Sequence, residues 1–243
     1  EVGLYGKPTL VNNVETLCCV PVILDEGSQK FLSYGTPESG GTKLVSISGH
    51  AKNRGVFEVG LGISLGSLIM DQEYGGGTST GRKPGFFHMG GQSGPIGFPE
   101  QLDTPYTYED LAREGLAVGS GAIVVLDDSV CIVEYIQKVF EFFVHESCGK
   151  CTPCRLGTTR ILELLTDFVE GRAREGDVER LEYMANQVSQ LSACGLGQSV
   201  NVALMSALRH RRGDFEAHIN GGACPAGACV CHENGRNEKC LTM

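Results

Sequence analysis

Three cysteines stand within seven residues, in the run Cys148-Gly149-Lys150-Cys151-Thr152-Pro153-Cys154. A thiolate is the soft ligand favoured by zinc and by iron-sulfur clusters, and this spacing lets one tight loop supply three corners of a cubane. The fourth ligand must then come from elsewhere, and Cys194, next to Gly195, is the candidate. Structural zinc is the competing occupant, although its four thiolates usually come as two separated pairs. Ordinary buried or disulfide-bonded cysteines are the third reading. The compact triplet favours a 4Fe-4S cluster, and with it one-electron chemistry, held by Cys148, Cys151, Cys154 and Cys194.

Residues around the triplet carry secondary expectations. Lys150 and Arg155 could donate to sulfur or offset the negative charge of a cluster, or they are solvated loop charges. His145 could replace a thiolate, with an ordinary place at a helix end as the plainer reading. Towards the end of the sequence Cys224, Cys229, Cys231, His232 and Cys240 form a second candidate metal set, against the alternative of an unstructured remnant. The run Gly90-Gly91-Gln92-Ser93-Gly94 could present amides to a phosphate, but neither a dinucleotide fingerprint nor a P-loop is present, so a turn is expected.

The elements that must position these residues follow from patterning. Most of the 34 glycines fall between residues 35 and 121, so strands and turns are expected there. Strand-like runs are Lys43 to Ser48, Val56 to Val59, Phe86 to Met89 and Ala122 to Leu126, with a short helix from Ser64 to Met70. That order suggests a small α+β unit of the β-grasp kind with a glycine-rich excursion from Gly75 to Gly97. From Ser129 the period becomes helical, with Val130, Val133, Ile136, Phe140 and Phe143 on one face. Further helices are predicted at about Thr159 to Glu170, Val178 to Leu191 and Ser199 to Arg209, making a four-helix bundle with the triplet in its first loop and Cys194 in its third. Before all this, residues 1–35 read as a loop and a helix that cannot bury its own apolar face.

Composition limits the function classes. A net charge of −9 gives no footprint for a phosphate backbone, so nucleic acid is not an expected partner. The apolar runs are too short to span a bilayer and no basic-then-apolar leader opens the sequence, which favours a cytoplasmic protein without direct membrane insertion. Reduced thiolates holding metal suit that compartment better than a disulfide scaffold.

The run His145-Glu146-Ser147-Cys148-Gly149-Lys150-Cys151-Thr152-Pro153-Cys154-Arg155-Leu156-Gly157-Thr158 closely resembles the NADH-binding flavoprotein subunit of respiratory complex I and the diaphorase subunits of NAD(P)-linked hydrogenases and formate dehydrogenases. The likeness extends over Gly6-Lys7-Pro8-Thr9-Leu10-Val11-Asn12-Asn13-Val14-Glu15-Thr16, Ser48-Gly49-His50, Ser120-Gly121 and Asp214-Phe215-Glu216-Ala217-His218-Ile219. It implies an α+β chain: the C-terminal remnant of an FMN/NADH-binding domain at 1–40, a soluble-ligand-binding β-grasp domain at 41–126, an iron-sulfur bundle at 127–219 and a Cys-rich tail at 220–243. It carries over FMN contacts to Val11, Asn12, Asn13 and Thr16, although Asn12 and Asn13 could simply cap a helix. The family's nicotinamide and flavin fold lies upstream of residue 1, so this chain by itself is expected to bind neither NAD(P)H nor FMN tightly. Gly90 to Pro95, Leu102 to Pro105 and Cys224 to Cys229 look more like the hydrogenase-linked relatives. The resemblance implies electron relay from FMN to the 4Fe-4S cluster and on to partners such as a 2Fe-2S thioredoxin-like subunit or a ferredoxin-like or hydrogenase subunit. A peripheral position at the inner membrane face through those partners is compatible with it. The rival reading is a non-catalytic zinc-stapled scaffold.

Overall fold

A computed structural model describes residues 2–219 and 223–229. Its first helices are α1 (Val14–Glu26) and α2 (Ser28–Leu32), which break at Gly27 and bury none of their side chains. Asn13 caps α1 by accepting the Glu15 amide at 2.8 Å. Glu15 in turn ties the helix to the sheet, pairing with Lys43 and accepting the Leu44 amide at 3.0 Å.

Five strands follow, β1 (Thr42–Gly49), β2 (Gly55–Gly60), β3 (Pro84–Met89), β4 (Ile96–Gly97) and β5 (Ala122–Asp127), in the order β2-β1-β5-β3-β4. The β1 and β5 strands run parallel and all other neighbours antiparallel. Two short helices lie between strands: α3 (Leu65–Met70), capped by Ser64, and α4 (Tyr108–Arg113), capped by Thr107. Strand alternation divides the sheet's two faces. Phe87 and Val125 join Leu65, Leu68, Ile69 and Tyr106 in one core, while their neighbours Phe86 and Leu126 face the opposite way.

That opposite face meets four long helices: α5 (Ile132–Glu146), α6 (Thr152–Val169), α7 (Asp177–Leu191) and α9 (Val200–Ala217), with the one-turn α8 (Gly195–Gln198) between the last two. Ile136, Phe140 and Phe143 of α5, Ile161 and Phe168 of α6, Leu181 and Val188 of α7 and Leu204 of α9 close one core with Phe86, Ile96 and Phe98. Each such side chain contributes about 1.5–3 kcal/mol by leaving water. Among the described residues no helix is long and apolar enough to cross a membrane.

The α6 and α9 helices differ in extent from the sequence expectation. The α6 helix starts at Thr152, inside the cysteine triplet, because Pro153 suits a first turn whose amides have no helical partner anyway. The α9 helix continues past Arg209 to Ala217 through a bend at Arg211. The bend serves an interface: Arg211 grips Glu100 with two bonds of 2.8 and 3.0 Å, and its guanidinium lies 4.5 Å from the centre of the Phe98 ring.

Arg211, with His210 beside it, holds the Glu100 carboxyl at about 2 against the opposing effect of partial burial. A folded-state value below the unfolded one stabilises at neutral pH and is lost as pH falls from about 4.5 to about 2. Because Glu100 is half exposed, Glu100→Gln is expected to cost no more than about 1 kcal/mol at pH 7. Urea midpoints of the two proteins should converge as the pH is lowered through that window; a gap independent of pH would refute the ionic contribution.

Candidate metal centre

The cysteine triplet occupies the turn between α5 and α6. Gly149 adopts φ +74° there, a left-handed value that glycine reaches without strain, and so reverses the chain between Cys148 and Cys151. Arg155 reaches back from α6 to donate to the Gly149 carbonyl at 2.7 Å, so its role in the structure is to pin this turn. Lys150 is exposed. His145 is also exposed, beside Glu146 at the end of α5, in the plainer of its two expected roles.

Cys148 is in the turn itself, Cys151 is the N-cap of α6 and Cys154 lies in its first turn. The expectation of a triplet wholly within a loop is thus corrected: two of its members belong to the helix start. Helix N-termini favour thiolates, since the free amides and the helix dipole stabilise negative charge. Cys154 is buried, with its sulfur 3.3 Å from the Ser147 hydroxyl. The Thr158 hydroxyl donates to the Cys154 carbonyl at 2.7 Å and holds the first turn closed.

Cys194 caps α8 and is exposed. Its segment comes to the same end of the helices. The Ala193 and Cys154 amides pull the Cys151 thiol below its usual range despite a desolvation cost. Gln198 donates to the Ser192 carbonyl at 3.1 Å, while Ser189 donates to the Gln198 carbonyl at 2.6 Å, so the turn before α8 is firmly shaped. The Ser192 hydroxyl is buried and forms no bond of ordinary geometry among the described residues. A donor so placed beside Cys151 suits a sulfur-rich acceptor, and the donor set fits an iron-sulfur cluster.

The carried-over FMN residues sit at the start of α1. Val11, Asn12, Asn13 and Thr16 are all exposed, and Asn13 spends its side-chain oxygen on capping. The Gly90 to Gly94 run is a turn closed by the Gly94 amide on the Gly91 carbonyl at 2.9 Å. His50, which ends the Ser48-Gly49-His50 run, lies 3.0 Å from the buried Asp127 carboxylate. Burial would raise that carboxyl, but bonds from Ser129 and Thr80 together with His50 hold it well below the usual range.

The second candidate set is regrouped. Cys224 and Cys229 come together with Cys131 and His218, neither of which is an expected ligand on sequence grounds, while Cys231, His232 and Cys240 lie outside the described residues. A signal did exist, since His218 precedes Cys224 by six residues and Cys229 follows at a further five.

Residues 134–218 match the family described as the NADH-ubiquinone oxidoreductase-F iron-sulfur binding region. Over 92% of its length the chain is 41% identical to the second F-type subunit of the NADH-quinone oxidoreductase of Rhizobium meliloti (strain 1021), covering 52% of that protein. It is 37% identical to the NADP-reducing hydrogenase subunit HndC of Solidesulfovibrio fructosivorans over 95% of the chain and 46% of that protein. It thus spans about half the length of these relatives. The crystal structure of an NAD+-reducing [NiFe]-hydrogenase in the H2-reduced state superposes with a TM-score of 0.79 at 32% identity, over 90% of this chain and 36% of that one.

A side chain on Gly197 would meet Ser192 Oγ at 2.3 Å and Cys154 Cβ at 3.3 Å. Gly197→Val is therefore expected to force Ser192 and Cys154 apart and to lower retained iron per chain at least twofold, with far-ultraviolet circular dichroism unchanged. Full iron retention would show that this contact does not shape the centre.

Proposed function

Since the chain belongs to the family of the F-type subunits of NADH-quinone oxidoreductase and the HndC-type hydrogenase subunits and corresponds to the C-terminal part of such a subunit, we propose that it passes single electrons from FMN to a 4Fe-4S cluster and on to a partner subunit. The observation that carries this reading is the convergence of the triplet and the Cys194 segment at one end of the helices, with the Ser192 hydroxyl facing Cys151. In it Cys148, Cys151, Cys154 and Cys194 are the four ligands. When bound, the cluster supplies reversible one-electron chemistry at a potential tuned by hydrogen bonds, charge and burial.

The chain's own residues do the positioning. The α6 N-terminus and the Ala193 amide favour thiolate at the ligand sulfurs, and Arg155 holds the Cys148 turn. In this reading the five-stranded sheet is the β-grasp unit, the four long helices are the bundle, and residues 1–40 are the end of the FMN/NADH-binding domain. Val11, Asn12, Asn13 and Thr16 then face FMN across the exposed start of α1, whose free amides suit a phosphate. The exposed Val14, Leu17, Val20 and Leu24 on the same helix are apolar surface that a flavin domain would cover. NAD(P)H oxidation belongs to the full-length subunit, and the electron acceptor is a 2Fe-2S thioredoxin-like, ferredoxin-like or hydrogenase subunit of the same complex.

Anaerobic purification followed by iron and sulfide assay and electron paramagnetic resonance after dithionite tests the relay. About four irons and four sulfides per chain are expected, with a reduced-cluster signal that disappears in Cys151→Ala and in Cys194→Ala. Iron-free protein with zinc released by Cys151→Ala would overturn the relay and leave a scaffold.

A further inference from the structure

The α5 and α7 helices both end on serine. Ser147 is the C-cap of α5 and Ser192 the C-cap of α7, each in extended backbone, and each is followed within two residues by a cysteine of the cluster set, Cys148 and Cys194. The α6 and α8 helices open at the same place, with Cys151 and Cys194 as their N-caps. Two helix ends and two helix starts therefore meet at one centre, and the hydroxyls of the two end residues lie among the thiols.

A serine at a helix end ordinarily spends its hydroxyl on a nearby carbonyl. These two do not. Ser147 Oγ lies 3.3 Å from Cys154 Sγ and 3.4 Å from the Gly149 amide nitrogen. The amide can only donate, so it takes a lone pair of the hydroxyl oxygen and leaves the hydroxyl hydrogen for the sulfur. Ser192 is 6% exposed, and its hydroxyl is buried without an acceptor of ordinary geometry among the described residues. It shares its place with the cluster thiols: the position a Gly197 side chain would take is close to both Ser192 Oγ and Cys154 Cβ, and the next amide along the chain, that of Ala193, serves the Cys151 sulfur. A buried hydroxyl with no acceptor is costly, and a sulfur-rich anion beside it supplies the missing acceptor.

The nearby cations are less suited to act on the sulfurs. Lys150 is exposed and screened by water, while Arg155 donates to the Gly149 carbonyl. A hydroxyl held against sulfur away from water acts on the charge there with little screening. A cubane with four thiolate ligands is an anion, and one added electron makes it more negative, so a donor to its sulfurs favours the reduced form.

We propose that Ser147 and Ser192 donate hydrogen bonds to ligand sulfurs of the 4Fe-4S cluster, Ser147 to Cys154 and Ser192 to Cys151, and so raise its reduction potential. The inference rests on the cluster reading given under the proposed function and adds to it two residues that bind no metal. They are positioning residues that set the energy of the transferred electron. The electron comes from the reduced flavin of that reading and leaves to the partner subunit, and no proton or covalent bond changes hands at either serine.

Redox titration followed by electron paramagnetic resonance tests this on the chain purified without oxygen. Ser147→Ala and Ser192→Ala should keep the iron and sulfide of the wild-type protein and each make the cluster about tenfold harder to reduce, which for one electron is a fall of 59 mV. The two falls should add in the double variant. Ser147→Thr keeps the hydroxyl and should keep the wild-type potential. Electron-nuclear double resonance of the reduced wild-type protein should show proton couplings that vanish in deuterium oxide, and each alanine variant should lack one of them. Unmoved potentials in both alanine variants at full iron content would overturn the proposal, as would a fall that Ser147→Thr shares. Iron lost from an alanine variant would overturn it for that serine, making it a support of the cluster and not a tuner of it. Iron-free wild-type protein would overturn the cluster reading itself, and this inference with it.

Discussion

Burial of Phe86, Ile96 and Phe98 against α5 and α9 is the contact on which the arrangement of this molecule rests. A sheet with one face in its own core and the other in a helical core cannot slide against those helices without exposing both aromatic and aliphatic surface. The ion pair between Glu100 and Arg211, stacked on Phe98, sits at the rim of the same contact and adds direction rather than much energy. With α5 and α9 fixed by the sheet, their ends become fixed points, and it is at those ends that the cysteines collect.

The cluster end and the tail end use one device in two forms. Each has a cysteine that caps a helix, where backbone amides are unspent, and brings it towards cysteines of a segment that has little hydrophobic burial of its own. At the cluster end the helix dipole and the Ala193 amide favour thiolate. At the tail end the hydrogen bond from Cys229 and the neighbouring His218 hold the Cys131 thiol below its usual range despite burial.

Much of this was legible from residue order. The β1, β2, β3 and β5 strands follow from alternating β-branched and aromatic residues, and α3 from the Ser64 cap. Among the elements that escaped are β4 and α4. The β4 strand is two residues long, and its place is fixed by pairing with β3 rather than by any pattern of its own. The α4 helix has a single buried residue, Leu111, so its signal lay in the Thr107 cap rather than in periodicity. Cys151 and Cys154 read as loop because cysteine and proline are weak helix formers, yet tertiary packing of Ile161, Leu165 and Phe168 carries α6 back to Thr152. Cys131 and His218 were illegible as partners for a simpler reason: 87 residues separate them, and only the closing of the helical core brings the ends of α5 and α9 side by side.

That α6 begins within its own cysteine motif ties the spacing of the thiols to the rotation of the helix. One residue added or removed between Cys151 and Ile161 would turn everything beyond it by about 100°. Ile161, Leu165 and Phe168 would then leave the core together, and Gly157, whose bare backbone lets Val188 of α7 approach, would be replaced at that contact by a neighbour with a side chain. The motif therefore sets a phase as well as a coordination number, and chain length here is as strictly limited as residue identity.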